Sequence, residues 1–308
     1  MNNIRPKVEN ETGYKIQLAN DQRWQIIATK GVRSWVRKLA SIMELKPCDR
    51  NGYPKLIFIR RDGDREKHDE PVFCRDPGID DCFPRSGWEA RRFPAVQIWS
   101  HRCVPDKFCE IGHENGHELE IFRMLQALYP IFERAQESGG LPLHTALVER
   151  DGIGILLVAS GNTGKSTCCH RLRNPWHPLC DDEALVVRDD QKRYLAHPLP
   201  TWSDHFMKRS ERTWGVEGYV PLSAIFFLEQ SERDEVFTMG KGKAAVLMSQ
   251  SSMDVYHPTW KRLDIEELRI LRKNLFDNAC DLAKEIPSFR LGVSLGGRFW
   301  EKIEEVLP

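Results

Sequence analysis

Residues Gly152 to Thr167 read G-I-G-I-L-L-V-A-S-G-N-T-G-K-S-T, an apolar run that breaks into a glycine-spaced loop ending in Gly-Lys-Ser-Thr. The run Ile153 to Val158 predicts a short buried strand, Ala159 to Gly164 a tight loop, and Lys165 the start of a helix. That order is the context a phosphate-binding loop needs. Glycines let backbone N–H groups turn inward on an anion, and a helix N-terminus adds partial positive charge. Lys165 is then the residue to reach β and γ phosphates, and Ser166 the one to ligate Mg²⁺. Ser160, Gly161, Asn162, Thr163, Gly164, Lys165, Ser166 and Thr167 are accordingly the candidate nucleotide-binding residues. One position departs from the usual pattern: Ala159 stands where a glycine is expected, which requires that its φ stay negative.

The chain of 308 residues can bury a substantial core as one large domain or two ordinary ones. Its 45 basic and 45 acidic residues balance, so nothing points to a nucleic acid or an anionic membrane as partner. Met1 to Glu11 is polar, and no run of 18 apolar residues occurs, so a cytoplasmic protein without signal peptide or membrane span is expected. Nine cysteines are scattered without C-x-x-C spacing, which argues for reduced, mostly packed thiols rather than a zinc knuckle. His113 and His117 have the spacing of metal ligands on a helix, but the surrounding Gly112, Asn115 and Gly116 favour a turn.

Ahead of the loop, Tyr14 to Ala28 reads as a hairpin turning at Asn20-Asp21-Gln22, Val32 to Met43 as a helix, and Leu56 to Ile59, Ala95 to Ser100 and Lys107 to Ile111 as strands. Arg60 to Arg92 is rich in charge, Pro and Gly and reads as a long surface excursion. A helix from Glu118 to Ala135, bent or ended at Pro130, leads to Ser138-Gly139-Gly140, the best linker in the chain. The predicted domains are therefore 1–138, a small α/β module, and 141–308.

In the second half, Leu143 to Val148 predicts a strand carrying His144, hairpinned through Arg150-Asp151-Gly152 to the strand that feeds the loop. The helix from Lys165 to about Arg173 moves away from the phosphates by about 13 Å at roughly 1.5 Å per residue. Trp176 to Cys180, if extended, returns about 16 Å at roughly 3.3 Å per residue. Asp181 and Asp182 are thereby delivered back to the height of Lys165. One of these carboxylates is placed to hold Mg²⁺ and the other to accept a proton from an attacking hydroxyl. Asp189-Asp190 reads as an ordinary turn. Val220 to Leu228 predicts a buried strand, Ala244 to Met248 the start of a helix, and Asp264 to Lys284 a long helix with Ile265, Leu268, Leu271, Leu275, Phe276, Ala279 and Leu282 facing inward. Phe289 to Leu295 is the last predicted strand.

His144, A-S-G-N-T-G-K-S-T, the acids of L-C-D-D-E and H-P-L-P together resemble the kinase core of bacterial HPr kinase/phosphorylase, which shares a fold with phosphoenolpyruvate carboxykinase. More closely, C-D-D-E-A-L-V-V-R-D-D, H-P-L-P-T-W-S-D, A-I-F-F-L-E-Q, L-F-D-N-A-C and G-R-F-W are similar to the SynChlorMet cassette protein ScmC family. The resemblance implies an α/β (α+β) chain whose C-terminal P-loop domain has a mixed β-sheet. It also implies an ATP- and Mg²⁺-dependent kinase acting on a serine or threonine of a peptide or small protein, such as a ribosomally made precursor peptide. In that scheme Asp182 is the base, His144 the active-site histidine, Lys165 the phosphate-binding lysine, and Ser166 with Asp181 the metal ligands. Relatives of this kind are often homo-oligomers. The glycine-rich segment and downstream arginine motif of HPr kinase have no counterpart that can be placed here, and Glu211 and Glu217 remain open as a further metal ligand. The alternative is a nucleotide-binding adaptor that recruits a peptide to a partner modifying enzyme without phosphoryl transfer; a phosphatase or phosphorylase running the chemistry backward is a third reading. The N-terminal half carries no recognised motif; its strand-helix-strand pattern suits holding a leader peptide at a sheet edge.

Overall fold

The computed structural model describes residues 13–49, 52–61, 83–112, 116–160, 163–208, 211–260 and 263–307. They are mixed α/β and fall in two compact units, one from residues up to Gln17 and Arg23–Pro130, the other from Leu18–Gln22 and Ile131 onward.

The first unit is a seven-stranded mixed sheet, ordered β3-β1-β2-β4-β7-β6-β5. Strands β1 (Gly13–Gln17) and β2 (Arg23–Ala28) form the expected hairpin, with Asp21 at positive φ in its turn. Helix α1 (Arg33–Ile42) buries Trp35, Val36, Leu39, Ala40 and Ile42, the stripe that its 3.6-residue period marks. Strand β3 (Lys46–Cys48) follows as an edge strand on β1. Strand β4 (Lys55–Arg60) lies between parallel neighbours, β2 and β7 (Val104–Ile111), and is covered on both faces. Phe58 meets Trp35 with ring centroids 5.1 Å apart, while Ile57 and Ile59 join Trp88, Trp99 and Phe108 on the other side. A strand buried on both faces has no polar alternation, which is why L-I-F-I is continuous.

Strands β5 (Trp88–Arg92) and β6 (Val96–His101) complete the sheet. Here the sequence expectation needs correction. Residues 88–92 are not part of a surface excursion but an edge strand, whose outward positions are free to carry Glu89, Arg91 and Arg92 and so hide the apolar signal. Arg60 ends β4, and residues 62–82 of that excursion lie outside the described residues, as does His113. His117 is the first residue of α2 (His117–Ala127); α3 (Tyr129–Glu137) begins one residue before Pro130, so the single helix expected here is two. The change of unit falls at the start of α3.

The second unit holds an eight-stranded mixed sheet. Strand β8 (Leu141–Arg150) turns through Asp151 and Gly152, both at positive φ, into β9 (Ile153–Val158). Helix α4 (Lys165–Arg171) follows the loop, and β10 (His177–Cys180) returns along β8. Strands β11 (Glu183–Arg188) and β12 (Tyr194–Pro198) form a hairpin, followed by the short α5 (Trp202–Phe206). Strand β13 (Val220–Gln230) is central, parallel to both β9 and β15 (Ser288–Val293), with β14 (Glu235–Thr238) outside β15. One face is sealed by α4 and α8 (Phe299–Glu304), where Phe226, Phe289 and Phe299 pack on Ile155 and Leu157. Full burial of each such ring is worth about 1.5–3 kcal/mol.

Helices α6 (Lys241–Trp260) and α7 (Ile265–Glu285) pack together, and α6 packs on β8. The capping box of α7 forms as expected, with Asp264 Oδ1 accepting from the Glu267 N–H at 2.8 Å. Its inward stripe is only half used. Leu275, Ala279 and Leu282 are buried, but Ile265 is 88% and Phe276 43% exposed. A helical period marks one face without saying whether anything covers it.

Candidate functional site

Strands β10 and β11 both pair antiparallel with β8, with a register shift in β10 between Pro178 and Cys180. Cys180 is opposite Leu147 and Glu183 opposite His144, so Asp181 and Asp182 are the two residues at the break between the strands. The Thr145 N–H donates to the Asp182 carbonyl at 3.0 Å and holds the backbone at that break. Asp182 Oδ1 lies 3.4 Å from His144 Nδ1. On the other side of the imidazole, His144 Nε2 is 2.9 Å from Lys165 Nζ. An ammonium has only protons to give, so Nε2 accepts, and the proton of the neutral ring sits on Nδ1, facing the carboxylate. Asp182, His144 and Lys165, from a strand break, a strand and a helix start, therefore form one polar line.

Lys165 is buried and also donates to the Ala159 carbonyl at 2.8 Å, tying the ends of the loop together. Burial pulls its pKa down, and the charges of Asp182, Asp254 and Asp181 oppose that shift. His144 is likewise held below its ordinary value, first by burial and then by the Lys165 charge, against Asp182 and Asp254. The neutral imidazole that this favours is the form the hydrogen bonds require. Gly164 caps α4 at φ 108°, with open space where a Cβ would stand. Ala159 is not among the residues at positive φ, so the departure from glycine costs the backbone nothing there.

The other residues predicted for the site lie as follows. Ser166 and Thr167 are exposed on the first turn of α4, Ser160 is exposed and Thr163 half-buried in the loop, and Gly161 and Asn162 lie outside the described residues. Asp181 is turned to Thr201, whose hydroxyl donates to Oδ1 at 2.6 Å. Glu211 is exposed and Glu217 half-buried, and between them Arg212 donates to the Leu179 carbonyl at 3.1 Å. The donor set fits a magnesium nucleotide: hard carboxylate and hydroxyl oxygens beside a loop closed by a lysine. Among the described residues no three His, Cys, Asp or Glu side chains gather into a cage.

Two contributors escaped the sequence reading. Asp254 acts electrostatically on both His144 and Lys165, and Ser251, three residues earlier on α6, donates to the His144 carbonyl at 3.0 Å. Their spacing on one helix face was available as a signal, but the expected helix was not extended that far. Thr201 belongs to the H-P-L-P-T segment, where the type of residue was legible and its partner was not. Beside these, Glu183 is a buried carboxyl that desolvation, then Asp182, keeps well above the usual carboxylate range.

Curated relatives match part of this chain. The HPr kinase/phosphorylase of Bacillus pumilus (strain SAFR-032) is 26% identical over 120 residues, 37% of this chain and 38% of that protein. The HPr kinase/phosphorylase of Bacillus licheniformis is 24% identical over 120 residues, with the same coverage of 37% and 38%. The chain thus spans about 38% of the length of these relatives. The mixed α/β fold goes with a distant, partial similarity to HPr kinase/phosphorylase. The chain belongs to the family described as SynChlorMet cassette protein ScmC, whose model matches residues 107–308. Among the described residues, no helix is long and apolar enough to cross a membrane.

Proposed function

We propose that this protein is an ATP- and Mg²⁺-dependent kinase of the P-loop type that phosphorylates a serine or threonine hydroxyl on a peptide, in particular a precursor peptide of the cassette its family is named for. The observation that carries this reading is the line Asp182–His144–Lys165 at the mouth of the strand-loop-helix segment. The partial similarity to HPr kinase/phosphorylase supports the same direction.

Bound magnesium ATP would supply the phosphoryl group and neutralise its charge. Lys165 and the amides of residues 160–167 are the groups to hold the phosphates, with Ser166 and Asp181 for the metal. Asp182 accepts the proton of the attacking hydroxyl as the new O–P bond forms and the bond to the departing diphosphate breaks. His144, neutral and carrying its proton on Nδ1, orients that carboxylate. Positioning and charge carry the rest of the rate, as this chemistry requires. The module up to residue 138 is assigned to holding the peptide, and 141–308 to the chemistry.

The test is the mass of a candidate precursor peptide after incubation with the protein, ATP and Mg²⁺. A gain of one phosphoryl group that Asp182→Asn abolishes is the expected result. Tight ATP binding with no mass change would instead leave the adaptor, recruiting a peptide to a partner enzyme.

A further inference from the structure

Thr201 stands between two fixed backbone segments, and its hydroxyl is directed at an acid rather than at its own helix. The Leu199 N–H donates to the Glu183 carbonyl at 3.1 Å, one residue beyond the pairing of Pro198 with Ala184, and ties the end of β12 to the strand that follows the acid pair. The Thr201 carbonyl then accepts from the Asp204 N–H at 3.1 Å as α5 begins. Pro198 and Pro200 fix φ on either side of Leu199, which is buried, as are Thr201 and Trp202. A threonine at a helix N-cap ordinarily turns its side-chain oxygen to the backbone N–H groups of the first turn. Thr201 makes no such bond. Its O–H is donated to Asp181 Oδ1 at 2.6 Å, within the ~2.5–2.7 Å range of hydroxyls on carboxylates.

The choice of partner separates Asp181 from an acid that only closes a turn. Asp189, after β11, takes the Arg193 guanidinium at 2.7 Å, so its charge is matched within the protein. Asp182, next to Asp181 in the chain, faces the imidazole of His144. A hydroxyl orients a carboxylate without neutralising it, and leaves its charge to an approaching cation. Because Thr201 is only 3% exposed, water does not compete for its O–H. Carboxylates that ligate metals are themselves held by hydrogen bonds of this kind, and removing the outer partner costs about 10- to 100-fold in metal affinity.

We propose that Thr201 is a positioning residue for the candidate metal site, its hydroxyl holding the Asp181 carboxylate in place for a divalent cation and acting on that cation through Asp181. This deepens the kinase reading, on which it rests for the cation and the nucleotide. It also gives the H-P-L-P-T segment a task. The end of β12 carries Thr201 to Asp181 as β8 carries His144 to Asp182, so each acid of the pair has its own holder.

The test is the affinity that Mg²⁺ adds for a fluorescent, non-hydrolysable ATP analogue, read on the full chain as the ratio of its Kd in EDTA to its Kd in Mg²⁺. Thr201→Val keeps the shape and removes the O–H. It is expected to cut this ratio by about tenfold while the Kd in EDTA stays within about twofold. Thr201→Ser restores the ratio. Asp181→Asn loses at least as much, and adding Thr201→Val to it costs no more than about a further twofold, the mark of two residues acting as one unit. A full ratio in Thr201→Val, an equal loss in EDTA, a Thr201→Ser protein as weak as Thr201→Val, or losses that multiply in the double variant would each overturn the assignment. So would an unsubstituted protein for which Mg²⁺ adds no affinity. The kinase reading is judged separately, by the mass of the peptide. Transfer by a protein whose ratio ignores Thr201 leaves the kinase and removes this role, whereas the expected pattern in a protein that transfers nothing leaves this role and removes the kinase.

Discussion

The Nζ of Lys165 sits 2.9 Å from Nε2 of His144, across 21 residues of chain, and the same ammonium reaches the Ala159 carbonyl at 2.8 Å. The lysine proposed to hold phosphate oxygens thus satisfies itself within the protein, and in that proposal a ligand must supply better acceptors than an imidazole and one carbonyl. Lys165→Met removes the charge that helps depress the His144 pKa. The expected outcome is a His144 imidazole that titrates at higher pH than in the unsubstituted protein, read by its ring NMR signals, with ATP affinity falling by about 10- to 100-fold.

Asp182→Asn keeps the shape of the strand break, where the residue contributes a carbonyl to Thr145, but removes the proposed base. Phosphoryl transfer is expected to drop by about 10²- to 10⁴-fold while ATP binding stays within a few-fold. Single-turnover transfer and equilibrium nucleotide binding separate the two quantities. Full activity in this variant excludes Asp182 as the base.

Asp254 raises the pKa of both His144 and Lys165 from a different helix. Asp254→Asn is expected to lower the pH at which His144 titrates and to shift the acid limb of the rate profile in the same direction, with the fold unaffected because the residue is exposed. An unshifted His144 titration counts against its influence.

His197 is fully buried, accepting from the Ala19 N–H at 3.0 Å through Nε2 and facing the Val216 carbonyl at 2.9 Å through Nδ1. Those bonds fix the neutral tautomer, and burial pulls its pKa from 6.5 to about 4. Between those values the unfolded chain binds a proton there and the folded chain does not. Stability from this residue is complete above pH 6.5 and is lost as pH falls toward 4, by about 3 kcal/mol in all. Urea midpoints across this range, compared with His197→Gln, are expected to show the steeper fall in the unsubstituted protein.

Among the described cysteines, Cys103 is exposed, whereas Cys109, Cys168, Cys169 and Cys180 are buried. Burial pushes the Cys168 thiol up to about 11 and Cys180 up to about 12, with Cys109 and Cys169 moved upward as well. Since the thiolate is the reactive form, alkylation at pH 8 is expected at Cys103 at least about 100-fold faster than at these four until the protein unfolds. Peptide mapping after timed quenching reads each site separately.

The local parts of this protein were legible where short-range rules decide them. The Asp151-Gly152 turn, the buried Ile153–Val158 strand, the Asp264 capping box and the return of Asp181-Asp182 after α4 all follow from spacing, turn chemistry and the fixed rise of helix and strand. Trp88–Arg92 was not legible, because an edge strand needs few apolar residues, and neither was the exposure of Ile265, because periodicity does not name a neighbour.

Residue order by itself determined that a lysine would begin a helix after a glycine loop and that two acids would come back to its level. Only the tertiary structure decided which acid faces His144 and which faces Thr201, and that Asp254 and Ser251 arrive from α6. The reason is physical: rise per residue sets how far a segment travels, whereas the partner of a side chain depends on sheet register and on helices that the chain supplies more than a hundred residues later, as Ser251 of α6 meets His144 across 107 residues of chain.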